Sequence, residues 1–244
     1  MYDSWTRNPK WVFEHLSSRH DRPIDESRRQ LHFYPEPSIH IPHFQTIPDD
    51  YKNSGFDRGH LAPSANHKTS VEGMRTTFTM ANACPQDPGF NRGYWLKLED
   101  WVRGLVKRSG DSSDDVDVVV VSGPAYLPSR VAGEWVQLHR IIGRYPRWIQ
   151  VPTHFYKVVI KASRRKSSVG NRQGAASLIE EYDIAAAAFL LPNKNIDTKI
   201  PLESFTVPLN DLEALAGVTF VEAIFPAPAK KHLDDRCSEM SGRY

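Results

Sequence analysis

The residues best suited to chemistry lie in Phe56-Asp57-Arg58-Gly59-His60-Leu61-Ala62-Pro63-Ser64-Ala65-Asn66-His67, where an acid, a guanidinium and an imidazole surround one glycine just ahead of a proline. In an extended strand alternate side chains share a face, so Arg58 and His60 point together while Asp57 points away. Arg58 is then a forked clamp for a phosphate oxygen. His60 beside it is a base that titrates near neutral pH. Gly59, without a side chain, lets a ligand backbone or a neighbouring strand come close.

A second set follows downstream. Asn91, Trp95 and Glu99 are spaced by four, which on a helix aligns them along one stripe with a polar residue at each end. As a site they offer an amide and a carboxylate; as plain structure Asn91 is an N-cap and Glu99 a solvated helix residue. Asn82 closes a short apolar run and either faces the same site or bonds a nearby turn backbone.

Convergence of His60, Asn82, Asn91 and Glu99 suits phosphodiester hydrolysis. The phosphorus is shielded by anionic oxygens, so attack needs an activated water, charge neutralisation and stabilisation of the leaving oxygen. His60 takes the water's proton and Arg58 holds a phosphate oxygen. Mg²⁺ is the divalent cation suited to hard oxygen ligands and retained waters. Asn91's amide oxygen would bind it without cancelling its charge, and Glu99 would accept from one of its waters. This arrangement requires His60 to face the N-terminal end of the Asn91 helix, with Arg58 on the same side and Asp57 turned inward.

The elements that must hold these residues read as follows. Trp11 to Leu16 is an aromatic, partly alternating strand. His20 to Asp50 carries Pro23, Pro35, Pro37, Pro42 and Pro48, which forbid a long helix and imply an extended surface passage; its His32, His40 and His43 read as surface residues. Thr69 to Thr77 is a short capped helix, Phe78 to Asn82 a buried strand, and Cys84-Pro85-Gln86 a breaker that returns the chain to a loop. Phe90 to Lys107, with Leu98, Trp101, Val102, Leu105 and Val106 at helical intervals, is the strongest helix.

Ser109 to Asp115 is an acidic loop, and Val116 to Val121 a buried central strand closed by Ser122-Gly123-Pro124. Trp148 to Ile160 is a strand or hairpin arm interrupted by Pro152. Ser163 to Gly174 is a basic, exposed loop. Ala185 to Leu190 is a strand, Val207 to Gly217 a short helix ended by glycine, Thr219 to Phe225 a last strand, and the sequence from Pro226 a frayed tail. Without a regular βαβ alternation, these elements define one α+β domain over residues 1–244, a mostly antiparallel sheet with flanking helices.

Bulk properties bound the function. At 244 residues with 40% hydrophobic and 25% charged content, the chain falls in the soluble globular class. A formal net charge of +2 permits a polyanion partner without demanding one. The two cysteines, Cys84 and Cys237, lie far apart and form neither a zinc spacing nor a disulfide framework. Residues 1–11 resemble neither a secretion signal nor a basic transit peptide, and the apolar runs are too short to span a bilayer.

The ordered set Asp57-Arg58-Gly59-His60, Leu61-Ala62-Pro63, Phe78 to Asn82, Pro85-Gln86, Phe90-Asn91-Arg92, Trp95 and Leu98-Glu99 resembles the DNA/RNA non-specific ββα-metal (His-Me finger) nucleases, in their endonuclease G-like branch. Segments such as Ser122 to Leu127, Pro152 to Val158, Leu191-Pro192-Asn193 and Ile200 to Phe220 extend the likeness over nearly the whole chain. Such an ordered set is far more specific than the tetrapeptide alone.

The resemblance implies that His60 is the general base, Asn91 the direct metal ligand and Glu99 the residue ordering metal-bound water. Arg58 and Asn82 match supporting positions around the scissile phosphate, and Arg92 a substrate-binding one. It further implies Mg²⁺, with Mn²⁺ as a substitute, as cofactor. DNA and RNA are the implied substrates, held through phosphate contacts and cut to 5′-phosphate and 3′-hydroxyl ends. Family members related to this chain are mitochondrial and often homodimeric. Two rival readings are a nucleic-acid-binding relative without turnover and a 5′-exonuclease.

Overall fold

The computed structural model describes residues 1–17, 30–110, 116–164 and 182–220. Of the acidic loop expected over Ser109 to Asp115, Ser109 and Gly110 instead end a helix; its remainder at 111–115, residues 18–29 at the start of the proline-rich passage, most of the basic loop at 163–174, the strand expected over 219–225 beyond its first two residues, the tail from 226 and Cys237 lie outside the described residues.

A short hairpin of β1 (Tyr2–Asp3) and β2 (Asn8–Pro9) precedes β3 (Val12–Ser17). Strand β3 edges a four-stranded antiparallel sheet in the order β12 (Tyr182–Pro192), β11 (His154–Arg164), β6 (Val116–Ala125), β3. In β6 the run Val118-Val119-Val120-Val121 lies between two partner strands, as its β-branched composition favours. The strand expected over Trp148 to Ile160 is two elements. Strand β10 (Arg147–Gln150) pairs with β9 (Ile141–Arg144), and β11 begins only after Val151-Pro152-Thr153. Pro152 cannot donate to a ladder, which explains the break. Between β6 and β9 lies a small hairpin of β7 (Ser129–Val131) and β8 (Glu134–Val136).

Successive strand residues face opposite sides of a sheet, and here both sides are covered. Val118, Val120, Phe155, Val159, Ala187 and Phe189 pack with Leu98, Val102 and Leu105 of the long helix α2 (Leu96–Gly110). Val121, Tyr156, Val158, Ile160, Ala186 and Ala188 pack with Leu209 and Leu212 of α3 (Leu209–Ala216). Helix α3 ends at Gly217, whose φ of 60° is the left-handed conformation a helix terminus favours in glycine. Among the described residues no helix is long and apolar enough to cross a membrane.

Beside this sheet stands a smaller unit. Strand β4 (Asp57–His60) pairs antiparallel with β5 (Ala83–Gln86), placing Arg58 opposite Pro85 and His60 opposite Ala83. The segment between them holds α1 (Val71–Thr76), whose Ser70 hydroxyl accepts from Gly73 N at 2.9 Å as a cap.

The strand expected over Phe78 to Asn82 is displaced. Met80–Asn82 is a single 3₁₀ turn and the pairing begins at Ala83, so the presumed breaker Cys84-Pro85-Gln86 is itself strand. Thr79 Oγ1 accepts from Ala81 N, favouring the turn. Pro85 is tolerated because β5 has a partner on one side only.

The chain then enters the helix through Asp87-Pro88-Gly89. Asp87 Oδ1 accepts from Phe90 N at 3.0 Å, and proline follows the capping residue, where its missing N–H costs nothing. Phe90–Trp95 forms a wide π turn before α2 proper. Strand, strand and helix thus build a ββα unit against the larger sheet.

Candidate nuclease site

The Asp57–His60 strand reaches the cleft in the alternating sense its sequence requires. Arg58 and His60 line a cleft of about 520 Å³, together with Asn91, Arg92, Glu99 and Arg103. Gly59 faces the other way, under Gln86: a Cβ there would lie 2.0 Å from Gln86 Oε1. With Gln86 in this position no side chain fits at residue 59, and glycine lets the buried Gln86 lie across the strand.

Asp57 turns away from Arg58 and His60 and meets the start of the helix. Its Oδ2 accepts from Asn91 Nδ2 at 2.9 Å, and both its oxygens accept from the Arg92 guanidinium, at 2.9 and 2.8 Å. Burial alone would raise the Asp57 pKa, but the Arg92 and Asn91 hydrogen bonds and the charges of Arg92 and Arg58 hold it below the usual value. A carboxylate only accepts, so Asn91 must present its NH₂ to Asp57 and keep Oδ1 for the cleft. Because Asp87 caps the helix, Asn91 is not occupied as an N-cap.

His60 is half-buried against aromatic rings. Its centroid lies 4.8 Å from that of Phe33 and 4.9 Å from that of Phe78. Phe33 also lies 5.3 Å from the Arg58 guanidinium carbon, a cation–π distance. One ring from the proline-rich passage therefore backs both Arg58 and His60. That passage is pinned by Tyr34, which exchanges backbone bonds with Phe78 and Met80 at 3.1 and 2.8 Å.

The backbone after His60 is gripped from behind. Trp95 Nε1 donates to His60 O at 3.0 Å. Asn82 is buried and commits its amide to the backbone, accepting from Ala62 N at 3.0 Å and donating to Ala62 O and Thr77 O at 2.9 and 2.8 Å. Of the two readings the sequence left open for Asn82, the geometry is that of the backbone anchor. Its amide shapes the strand end and does not line the cleft. Trp95, expected on one stripe with Asn91 and Glu99, is 1% exposed and lies outside the cleft lining; the π turn over Phe90–Trp95 shifts its phase relative to Asn91.

Glu99 lines the cleft but is only 8% exposed. Burial pushes its pKa up to about 8, against the nearby cations Lys157 and Arg103, which pull it down. Sequence reasoning missed Phe33, Arg103 and Lys157. Arg103 had a signal, the i, i+4 spacing from Glu99.

The donor set fits a hard, largely hydrated cation. Asn91 offers one neutral oxygen in a fixed sense, and no cluster of three or more His, Cys, Asp or Glu side chains stands ready for a metal among the described residues. Mg²⁺ sites commonly keep several waters and are completed by substrate phosphates.

A ββα unit that aims an Arg-His strand and a helix-borne asparagine into one cleft defines a nuclease class, and the sequence comparison agrees. The family model described as DNA/RNA non-specific endonuclease matches residues 1–226, and the chain belongs to that family. Among its relatives, Nuclease 1, mitochondrial, of Schizosaccharomyces pombe is 36% identical over 244 residues, covering 98% of this chain and 67% of that protein. Nuclease EXOG, mitochondrial, of Homo sapiens is 38% identical over 220 residues, covering 90% and 54%. Endonuclease G, mitochondrial, of Homo sapiens is 36% identical over 224 residues, covering 91% and 67%. The chain thus spans between about half and two thirds of these proteins' lengths. The crystal structure of an EndoG/EndoGI complex superposes with a TM-score of 0.74 at 33% identity, over 90% of this chain and 80% of that one.

Proposed function

We propose that this chain is a metal-dependent, sugar-non-specific endonuclease hydrolysing DNA and RNA, with His60 as general base and Asn91 as the metal ligand. The observation that carries the reading is the Asp57–Asn91 hydrogen bond, which orients a neutral oxygen ligand in the cleft that His60 lines.

In this reading Arg58 and Arg92 hold phosphate oxygens. His60 removes a proton from the attacking water as its oxygen bonds to phosphorus. The P–O3′ bond breaks, leaving a 5′-phosphate on one product and, once protonated, a 3′-hydroxyl on the other. When bound at Asn91, Mg²⁺ supplies Lewis-acid stabilisation of charge on the phosphate and leaving oxygen, a role Mn²⁺ can substitute for. Glu99, on the same cleft wall as Arg103, accepts from ordered water, and Asn82 acts as a positioning residue through the Ala62 peptide.

Contacts directed at phosphates give little sequence preference. The names of the relatives carry a mitochondrial location, which we extend to this chain along with the homodimer implied by the resemblance, an assembly that light scattering would test. Nicking of supercoiled plasmid tests the activity: cutting that stops in excess chelator supports it, and undiminished cutting contradicts the metal role. Comparison of circular with linear substrates separates this reading from a 5′-exonuclease. Full-affinity binding without cutting under any divalent ion would establish the binding-only alternative.

A further inference from the structure

Strand β11 places Phe155, Lys157 and Val159 on one face by alternation, and that face is the α2 side of the sheet. Lys157 is a lysine in an apolar row, 1% exposed. Its ammonium donates to Ser122 Oγ and, at 3.4 Å, to Leu61 O, and it lies 4.4 Å from the Trp95 ring centroid. Trp95 in turn holds His60 O, and Asn82 holds Ala62. Three side chains from three elements therefore grip three consecutive carbonyls, those of His60, Leu61 and Ala62.

The titratable and charged groups facing Lys157 come from separate elements. Glu14 on β3 and Glu99 on α2 carry buried carboxyl groups, and Arg103 is a second cation. Glu14 also accepts from Asn66 Nδ2 at 2.9 Å and lies 3.1 Å from His67 Nε2, while Asn66 Oδ1 accepts from Arg103 at 3.2 Å. A buried ammonium costs stability unless it is paired and hydrogen-bonded, and an apolar side chain would fill the same row without that cost. Packing alone therefore does not account for a lysine here.

We propose that Lys157 is a positioning residue of the cleavage site, securing the Leu61 peptide and the Trp95 indole so that His60 keeps its place, and supplying the buried positive charge that faces Glu99. The proposal rests on the nuclease reading. It predicts that removing the ammonium impairs turnover more than substrate binding, because Lys157 touches neither substrate nor the cleft surface.

The test compares Lys157→Met and His60→Ala with the wild-type chain in plasmid cleavage, with folding followed by circular dichroism. The His60 ring protons are recorded by NMR in metal-free protein, where the neighbouring rings of Phe33 and Phe78 make their shifts sensitive to position. We expect kcat to fall at least about tenfold in Lys157→Met, with KM within about twofold and the His60 resonances displaced. A folded Lys157→Met with wild-type kcat and unmoved His60 resonances overturns the proposal. If that variant does not fold, Ser122→Ala, which removes only the hydroxyl bonded to the ammonium, is expected to lower kcat about threefold and shift the same resonances; no change in either overturns it. Failure of this proposal alone shows as wild-type cutting, an inert His60→Ala and a normal lysine variant. A wild-type chain that never cuts removes the nuclease reading and the proposal together.

Discussion

Asp57 and Asn91 are joined by a hydrogen bond of 2.9 Å between the first residue of β4 and the π turn that leads into α2. The sequence places Asp57 on the face opposite Arg58 and His60, and the structure shows what that face is for. It ties the strand to the helix and sets the sense of the Asn91 amide.

Replacing Asp57 by alanine releases that amide and the Arg92 guanidinium together. Residues that orient a ligand typically cost about 10- to 100-fold in metal affinity when lost. A shift of that size in the Mg²⁺ concentration giving half-maximal cleavage is expected, and an unchanged midpoint would contradict the role given to Asp57.

Glu99 gives a pH signature in the metal-free protein. Its folded pKa, about 8, lies above the unfolded value of 4.5. Between those values the folded state keeps a proton that the unfolded state has released, so this group's contribution to stability declines as pH rises from about 4.5 to 8. Glu99→Gln cannot titrate. Measured by urea denaturation, its stability relative to wild type is therefore expected to improve from pH 5 to pH 8; a constant difference would show that Glu99 titrates normally.

The tetrapeptide Asp57 to His60 was legible because strand alternation alone decides which side chains share a face. The long helix was legible from its apolar residues at helical intervals, and the central Val116 strand from its β-branched run. Asn82 was ambiguous, since an amide near a turn can serve a site or a backbone, and only the positions of Ala62 and Thr77 settle which. Phe33 was hidden in a proline-rich stretch without periodicity, where nothing local says what the ring will meet. Lys157 lies in a strand apolar on both faces, so its burial depends on α2 packing over it.

Phe33 touches both Arg58 and His60, and Phe33→Leu keeps much of the bulk while removing the ring. A loss of about 10- to 100-fold in kcat is expected from small displacements of the base. Wild-type kcat in a folded Phe33→Leu would mean that the ring only packs.

Arg92 is 73% exposed despite its pairing with Asp57, leaving it accessible to a phosphate. Binding to DNA should weaken as salt rises. Arg92→Ala is expected to weaken binding for all sequences alike and to reduce the slope of log affinity against log salt by about one. A slope equal to wild type would remove Arg92 from the phosphate contacts.

The most direct measurement is cleavage of supercoiled plasmid by His60→Ala in Mg²⁺, alongside its binding to the same DNA. Cutting is expected to be abolished while affinity stays near that of wild type. Cutting at the wild-type rate by a folded His60→Ala would contradict the assignment of the base.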